Sequence, residues 1–193
     1  MAFCGLLRVS EYAAESAKSF DKRKQPRVRD LRFGVDEHGE FASIMIYPAK
    51  KGHKSKGKSS EVTLRDGGLL KPVSQLKQML RSRQMPAPDE PLFMVGAKPL
   101  TKMDVTKMVR LALEAAGQQP WLFNSHGLRI GGATAALAAG VPPEAIRVMG
   151  RWDSDVYEIY CRRSRQVALR LGSVIASTPF DEIVGAFEDE DLT

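Results

Sequence analysis

Every strand-like run in this 193-residue chain lies before residue 66, and from Leu69 onward the apolar spacing is helical. That ordering constrains the fold more than any other feature. Residues 31–36 and 41–47 read as two strands about a turn at Glu37-His38-Gly39-Glu40, and Glu61-Val-Thr-Leu64 reads as a third short strand. A helical run from Leu6 to about Phe20, with Leu7, Tyr12 and Ala13 among its apolar positions, precedes them, and a basic linker (residues 21–29) intervenes. After the strands, residues 69–85 carry Leu70, Val73, Leu76 and Leu80 at helical spacing and stop at Met85-Pro-Ala-Pro. Residues 101–116 form an amphipathic run with Gly117 as its stop, and residues 125–139, rich in Ala and Gly, close at Gly140-Val-Pro-Pro. Helical runs at 143–150, 153–177 and 179–190 complete the chain. The expected class is α+β, mainly α, with a small three-stranded antiparallel sheet near the N-terminus.

Charge narrows the function. Residues 171–193 hold six of the 23 acids and none of the 29 Lys and Arg residues, so residues 1–170 carry 29 bases against 17 acids. A body with that surplus attracts polyanions and speeds their encounter. No apolar run approaches the roughly 18 residues of a membrane span. Two cysteines, Cys4 and Cys161, make no disulfide framework and fit a reducing compartment. The 43% hydrophobic and 27% charged composition is that of a folded globule.

His126-Gly-Leu-Arg129 puts an imidazole and a guanidinium on one side of a helix, beside a helix start that already favours an anion. A guanidinium binds two oxyanion oxygens and an imidazole moves a proton near neutral pH, a pairing suited to phosphoryl chemistry. Arg8 and Glu11 share the same spacing, with a structural ion pair as the simplest reading. Residues 133–152 resemble a helix-turn-helix, but two prolines in the turn and an apolar second helix (Ala145, Ile146, Val148, Met149) favour internal packing. The loop Lys50-Lys51-Gly52-His53-Lys54-Ser55-Lys56-Gly57-Lys58 is basic and Gly/Ser-rich. Trp121 and Phe123 read as core.

Taken in order, Arg8 near a helix start, a hairpin lysine, His126-x-x-Arg129, Gly150-Arg151-Trp152 and Tyr160 resemble the catalytic domain of the tyrosine recombinases, the phage-integrase family. The likeness runs from about Phe3 to Arg165. Residues 3–11 resemble the first box, residues 125–134 the second, and residues 150–160 the approach to the nucleophile. The resemblance implies a catalytic domain over residues 1–178 and an acidic C-terminal segment, 179–193, that docks on a neighbouring subunit. It implies site-specific recombination through a 3′-phosphotyrosyl intermediate. Double-stranded DNA would be the partner, a homo-tetramer on paired sites the assembly, and no metal or small-molecule cofactor would be needed. Such an enzyme works inside a cell, in a prokaryotic cytoplasm or a eukaryotic nucleus. A decayed DNA-binding remnant and a type IB topoisomerase are the alternatives.

The resemblance also distributes roles. Arg8 and Arg129 clamp the non-bridging oxygens, Tyr160 attacks phosphorus, His126 handles protons, and a hairpin lysine protonates the leaving 5′-oxygen. That lysine is Lys50, with Lys51 next and Lys54 also open; Lys54, Lys56 and Lys58 would grip DNA. Glu11 orients Arg8 or His126 from behind. Tyr157, one turn from Tyr160, is the rival nucleophile. Three departures stand out. The family's first box commonly has glycine two residues before its arginine, where this chain has Leu6. The family's His or Trp lies nine residues before the tyrosine, which is Arg151 here, with Trp152 one place late and preferred. Family members also carry an N-terminal helical domain that clamps the opposite DNA face, whereas this chain opens almost at the first box.

Overall fold

The computed structural model describes residues 1–48, 59–84, 86–122 and 124–152. Helix α1 is a single turn, Val9–Tyr12, followed by strands β1 (Leu31–Asp36), β2 (Gly39–Ile46) and β3 (Ser60–Arg65). Helix α2 (Pro72–Ser82), a minimal hairpin β4–β5 (Met94–Val95, Lys98–Pro99) and helices α3 (Lys102–Ala115), α4 (Gly127–Ala138) and α5 (Pro143–Gly150) complete the described elements, with single 3-10 turns at Val28–Asp30 and Pro120–Leu122. The class is mixed α+β, as its sequence pattern indicates.

The three strands form an antiparallel sheet in the order β1-β2-β3. Leu31 pairs with Ile44, and Ile44 in turn with Val62, so side chains of one parity share a face. That face is the core: Ala42, Ile44, Ile46, Val62 and Leu64 pack with Leu7, Tyr12, Ala13, Val73, Leu76, Leu92 and Val105. The β1–β2 turn is tighter than the four residues expected, since Asp36 pairs directly with Gly39. An Asp36 carboxylate oxygen accepts the His38 main-chain N–H at 2.9 Å, the side-chain turn that Asp favours.

Helix boundaries follow local chemistry. Pro72 occupies the first turn of α2, where its missing N–H costs nothing, and Asp66 accepts the Val73 N–H at 2.6 Å. Thr101 and Asp104 form a reciprocal capping box on α3, and Gly117 (φ 68°) ends it. The first helix is the main correction. Instead of running to Phe20 it stops at Tyr12, and Ala13 is extended (φ −125°, ψ 141°). Ala14 then bridges to the chain before α3, its N–H donating to Leu100 O at 2.8 Å and its carbonyl accepting from Lys102 N at 3.0 Å. Leu6, Leu7, Tyr12, Ala13 and Ala14 are all buried. An apolar segment enclosed on several sides gains from threading the core what it loses in helical bonds.

Candidate active site

The segment before α1 carries Arg8 to the mouth of the site. Glu11, one turn on, is 3% exposed, and its Oε2 accepts the Arg8 main-chain N–H at 2.7 Å. Its Oε1 accepts from Arg8 Nη1 at 3.0 Å, an ion pair in which the Arg8 side chain stays 41% exposed. A second guanidinium reaches the same carboxylate from the far end of the described chain: Arg151 Nη2 lies 2.9 Å from Glu11 Oε2. Arg8 Nη2 closes the circuit by donating to the Arg151 carbonyl at 3.2 Å.

Arg129 projects from α4 into the same seam and is 1% exposed. It donates to the main-chain carbonyls of Leu6 and Gly150, and its guanidinium carbon lies 4.1 Å from the centre of the Trp152 ring. Weakly hydrated and planar, a guanidinium suits such a stacked, buried position better than an ammonium would. Trp152 folds back because residue 150 is glycine: a Cβ there would sit 1.7 Å from Trp152 Cζ3. On the other flank a Cβ on Gly132 would meet Phe3 O at 2.2 Å, so α4 lies directly on the segment leading to Arg8.

His126 caps the N-terminal end of α4, its N–H donating to Asn124 Oδ1 at 2.9 Å. The residue is exposed, yet partial loss of water around the ring, then the Arg129 and Arg8 charges, hold it below the usual histidine range. A neutral imidazole beside two guanidinium groups can accept a proton at pH 7 and would take charge once an anion is present. Tyr12, next to Glu11, is pushed up to about 12 by burial and then by that carboxylate, so its phenol stays protonated.

Thus Arg8, Glu11, His126, Arg129, Arg151 and Trp152 share one seam. Lys50, Lys51, Lys54, Lys56, Lys58, Tyr157 and Tyr160 lie outside the described residues, as do the 178/179 boundary and the acidic segment. Trp121, expected in the core, is instead 71% exposed. The second helix of the helix-turn-helix candidate packs inward through Ile146, against Leu6 and Ala133, whereas Val148 and Met149 are exposed.

Sequence reasoning missed the part played by the main chain. Leu6 has φ 47°, a left-handed conformation that disfavours a leucine, at the place where the first box commonly has glycine. The departure keeps the backbone turn while adding a side chain that is 1% exposed beside Ala133 and Ile146. The turn presents the Leu6 carbonyl to both Arg129 and Arg151. Among the described residues no cluster of three His, Cys, Asp or Glu side chains could hold a metal ion, and no helix is long and apolar enough to cross a membrane.

No protein-family sequence model matches the chain, and no curated protein matches it. Solved structures do. The XerH site-specific recombinase bound to difH substrate in a pre-cleavage complex superposes with TM-score 0.57 at 20% identity, over 83% of this chain and 40% of that one. The post-cleavage XerH complex with palindromic difH gives TM-score 0.59 at 19% identity, over 91% and 45%. The Tn1549 transposon integrase in complex with circular intermediate DNA gives 0.51 at 14%, over 97% and 57%. The chain therefore spans about half the length of these proteins, and the likeness shows a tyrosine-recombinase-like fold.

Proposed function

We propose that the chain binds double-stranded DNA and breaks and rejoins it at specific sites by transesterification through Tyr160. The observation that carries this reading is the seam itself. Arg8 and Arg129, 121 positions apart, share one site with a depressed histidine, a buried carboxylate and a stacked tryptophan. The DNA-bound recombinases and integrase of similar fold support DNA as the partner.

A phosphodiester resists attack because its oxygens are already negative, so the site must supply positive charge where more negative charge develops. Arg8 offers an exposed guanidinium whose inner edge is fixed by Glu11 and the Arg151 carbonyl. His126, neutral before DNA arrives, accepts the phenolic proton as Tyr160 attacks phosphorus. The P–O5′ bond breaks as the P–O(Tyr) bond forms, and the hairpin lysine, Lys50 in our assignment, protonates the departing 5′-oxygen. The phosphotyrosyl ester conserves the bond, so rejoining is the same exchange in reverse. Work on paired sites as a homo-tetramer inside the cell is part of the same proposal and rests on the family resemblance.

A second reading, DNA binding without cleavage, is favoured by one observation. Arg129 is 1% exposed, with N–H donors on the Leu6 and Gly150 carbonyls and Trp152 across its face. One experiment separates the two: incubation with a nicked suicide duplex, followed by a denaturing gel. A covalent adduct in wild type that disappears in Tyr160→Phe is expected; retarded DNA with no adduct would establish the binding reading.

A further inference from the structure

Arg151 stands nine residues before Tyr160, where the family has its His or Trp, and its guanidinium is turned inward. It leaves α5 in a left-handed conformation (φ 56°, ψ 45°) that swings the side chain back across the loop before Arg8. Its Nη1 donates to Met149 O at 2.8 Å and Gly5 O at 3.4 Å, and its Nη2 to Leu6 O at 3.2 Å and Glu11 Oε2 at 2.9 Å. Its Nε is buried with no hydrogen-bond partner among the described residues. The side chain is 17% exposed, against 41% for Arg8.

We propose that Arg151 is a positioning residue: it holds the Glu11 carboxylate, and through it the guanidinium of Arg8, in the orientation that receives a phosphate. The proposal rests on the DNA-cleavage reading above. Two physical arguments carry it. Geometrically, Arg151 meets the Arg8 environment twice, through its side chain on Glu11 and through its carbonyl on Arg8 Nη2, so one residue sets both anchors of the Arg8 inner edge. Electrostatically, Glu11 alone would cancel the charge of Arg8. With Arg151 on the same carboxylate, two cations share one anion and Arg8 keeps a net positive field toward solvent.

The test is a cycle of Arg8→Ala, Arg151→Gln and the double variant, read as the single-turnover rate of adduct formation at saturating DNA, with DNA affinity measured alongside. Misplacing a charge-stabilising group by about an ångström costs roughly 100-fold in rate. We expect that loss in Arg151→Gln with affinity within about 2-fold of wild type, and a double variant no slower than Arg8→Ala alone. Arg151→Lys, which restores charge but not the fork, should recover part of the rate. Rate losses that multiply in the double variant, or an affinity loss that accounts for the defect, would mean that Arg151 acts on DNA independently. A second readout needs no chemistry: the Arg8 guanidinium Nη resonances should be resolved in wild type by hindered rotation and averaged in Arg151→Gln. Unchanged resonances overturn the positioning role even if wild type forms no adduct, an outcome that sinks the cleavage reading separately. Should neither Arg151→Gln nor Arg151→Lys fold, Arg151 is a structural residue and the proposal fails.

Discussion

The sheet core and the polar seam are both buried, yet different forces hold them. In the first, Ala42, Ile44, Ile46, Val62 and Leu64 come from adjacent strands and meet Val73 and Leu76 of the next helix. Its buried members are aliphatic or aromatic throughout, including those that arrive from elsewhere in the chain, Leu7, Tyr12, Leu92 and Val105. In the second, the apolar content is Leu6, Ala133 and Ile146, with Trp152 beside them. The rest is guanidinium on carbonyl, guanidinium on carboxylate and guanidinium on indole, joining residues 5–11 to 129–152. Among the described residues, two of the three non-glycine residues with positive φ, Leu6 and Arg151, lie in this seam. A seam that holds three guanidinium groups cannot be built from aliphatic packing alone, and it carries backbone strain the sheet does not have.

Substitutions should separate the regions. Glu11→Ala leaves the Arg8 and Arg151 guanidinium groups facing each other without their shared anion. Unfolding by denaturant should show a loss of about 3 kcal/mol, and adduct formation per folded molecule should fall as well. Ile44→Ala, on the other side of the comparison, should cost about 2–5 kcal/mol with adduct formation per folded molecule unchanged. Equal activity losses in the two variants would erase the distinction. Gly132→Ala is a smaller perturbation, pressing a methyl on Phe3 O; it should cost about 1–3 kcal/mol, and the affinity for DNA should fall if the seam widens.

The subtlest effect is in pH. His126 has a folded-state value below its unfolded one, so the unfolded chain takes up the proton first as pH falls. Stability contributed by the neutral ring is present above the ordinary histidine value near ~6.5 and declines as pH drops through it toward the depressed one. An NMR titration of the His126 ring should place its midpoint below the ordinary histidine value and move it upward when DNA supplies an anion. A midpoint that DNA leaves in place would remove His126 from the phosphate site.

Much of this architecture was legible in the chain. Local periodicity is set by whether one face or several are buried, so β1 matches the expected 31–36 and α5 the expected 143–150, while α3 is framed by its Thr101 cap and Gly117 stop. The β4–β5 hairpin went unseen, because two-residue strands carry no periodicity; Gly96 at φ 57° was its one signal. In the candidate site, the spacing of Arg8 and Glu11 and of His126 and Arg129 could be read directly, since residues three apart on a helix share a face.

Residue types and their order determined by themselves the three-stranded sheet followed by helices, the basic body and the set of side chains suited to phosphate, because each depends on neighbours within a few positions. Only the tertiary structure decided that the first helix ends at Tyr12, that Trp121 faces solvent, and that Arg151 turns inward to Glu11 while Trp152 covers Arg129. The end of the first helix and the turn of Arg151 depend on partners more than 80 positions away, and no local pattern records which carbonyl or ring a guanidinium will meet.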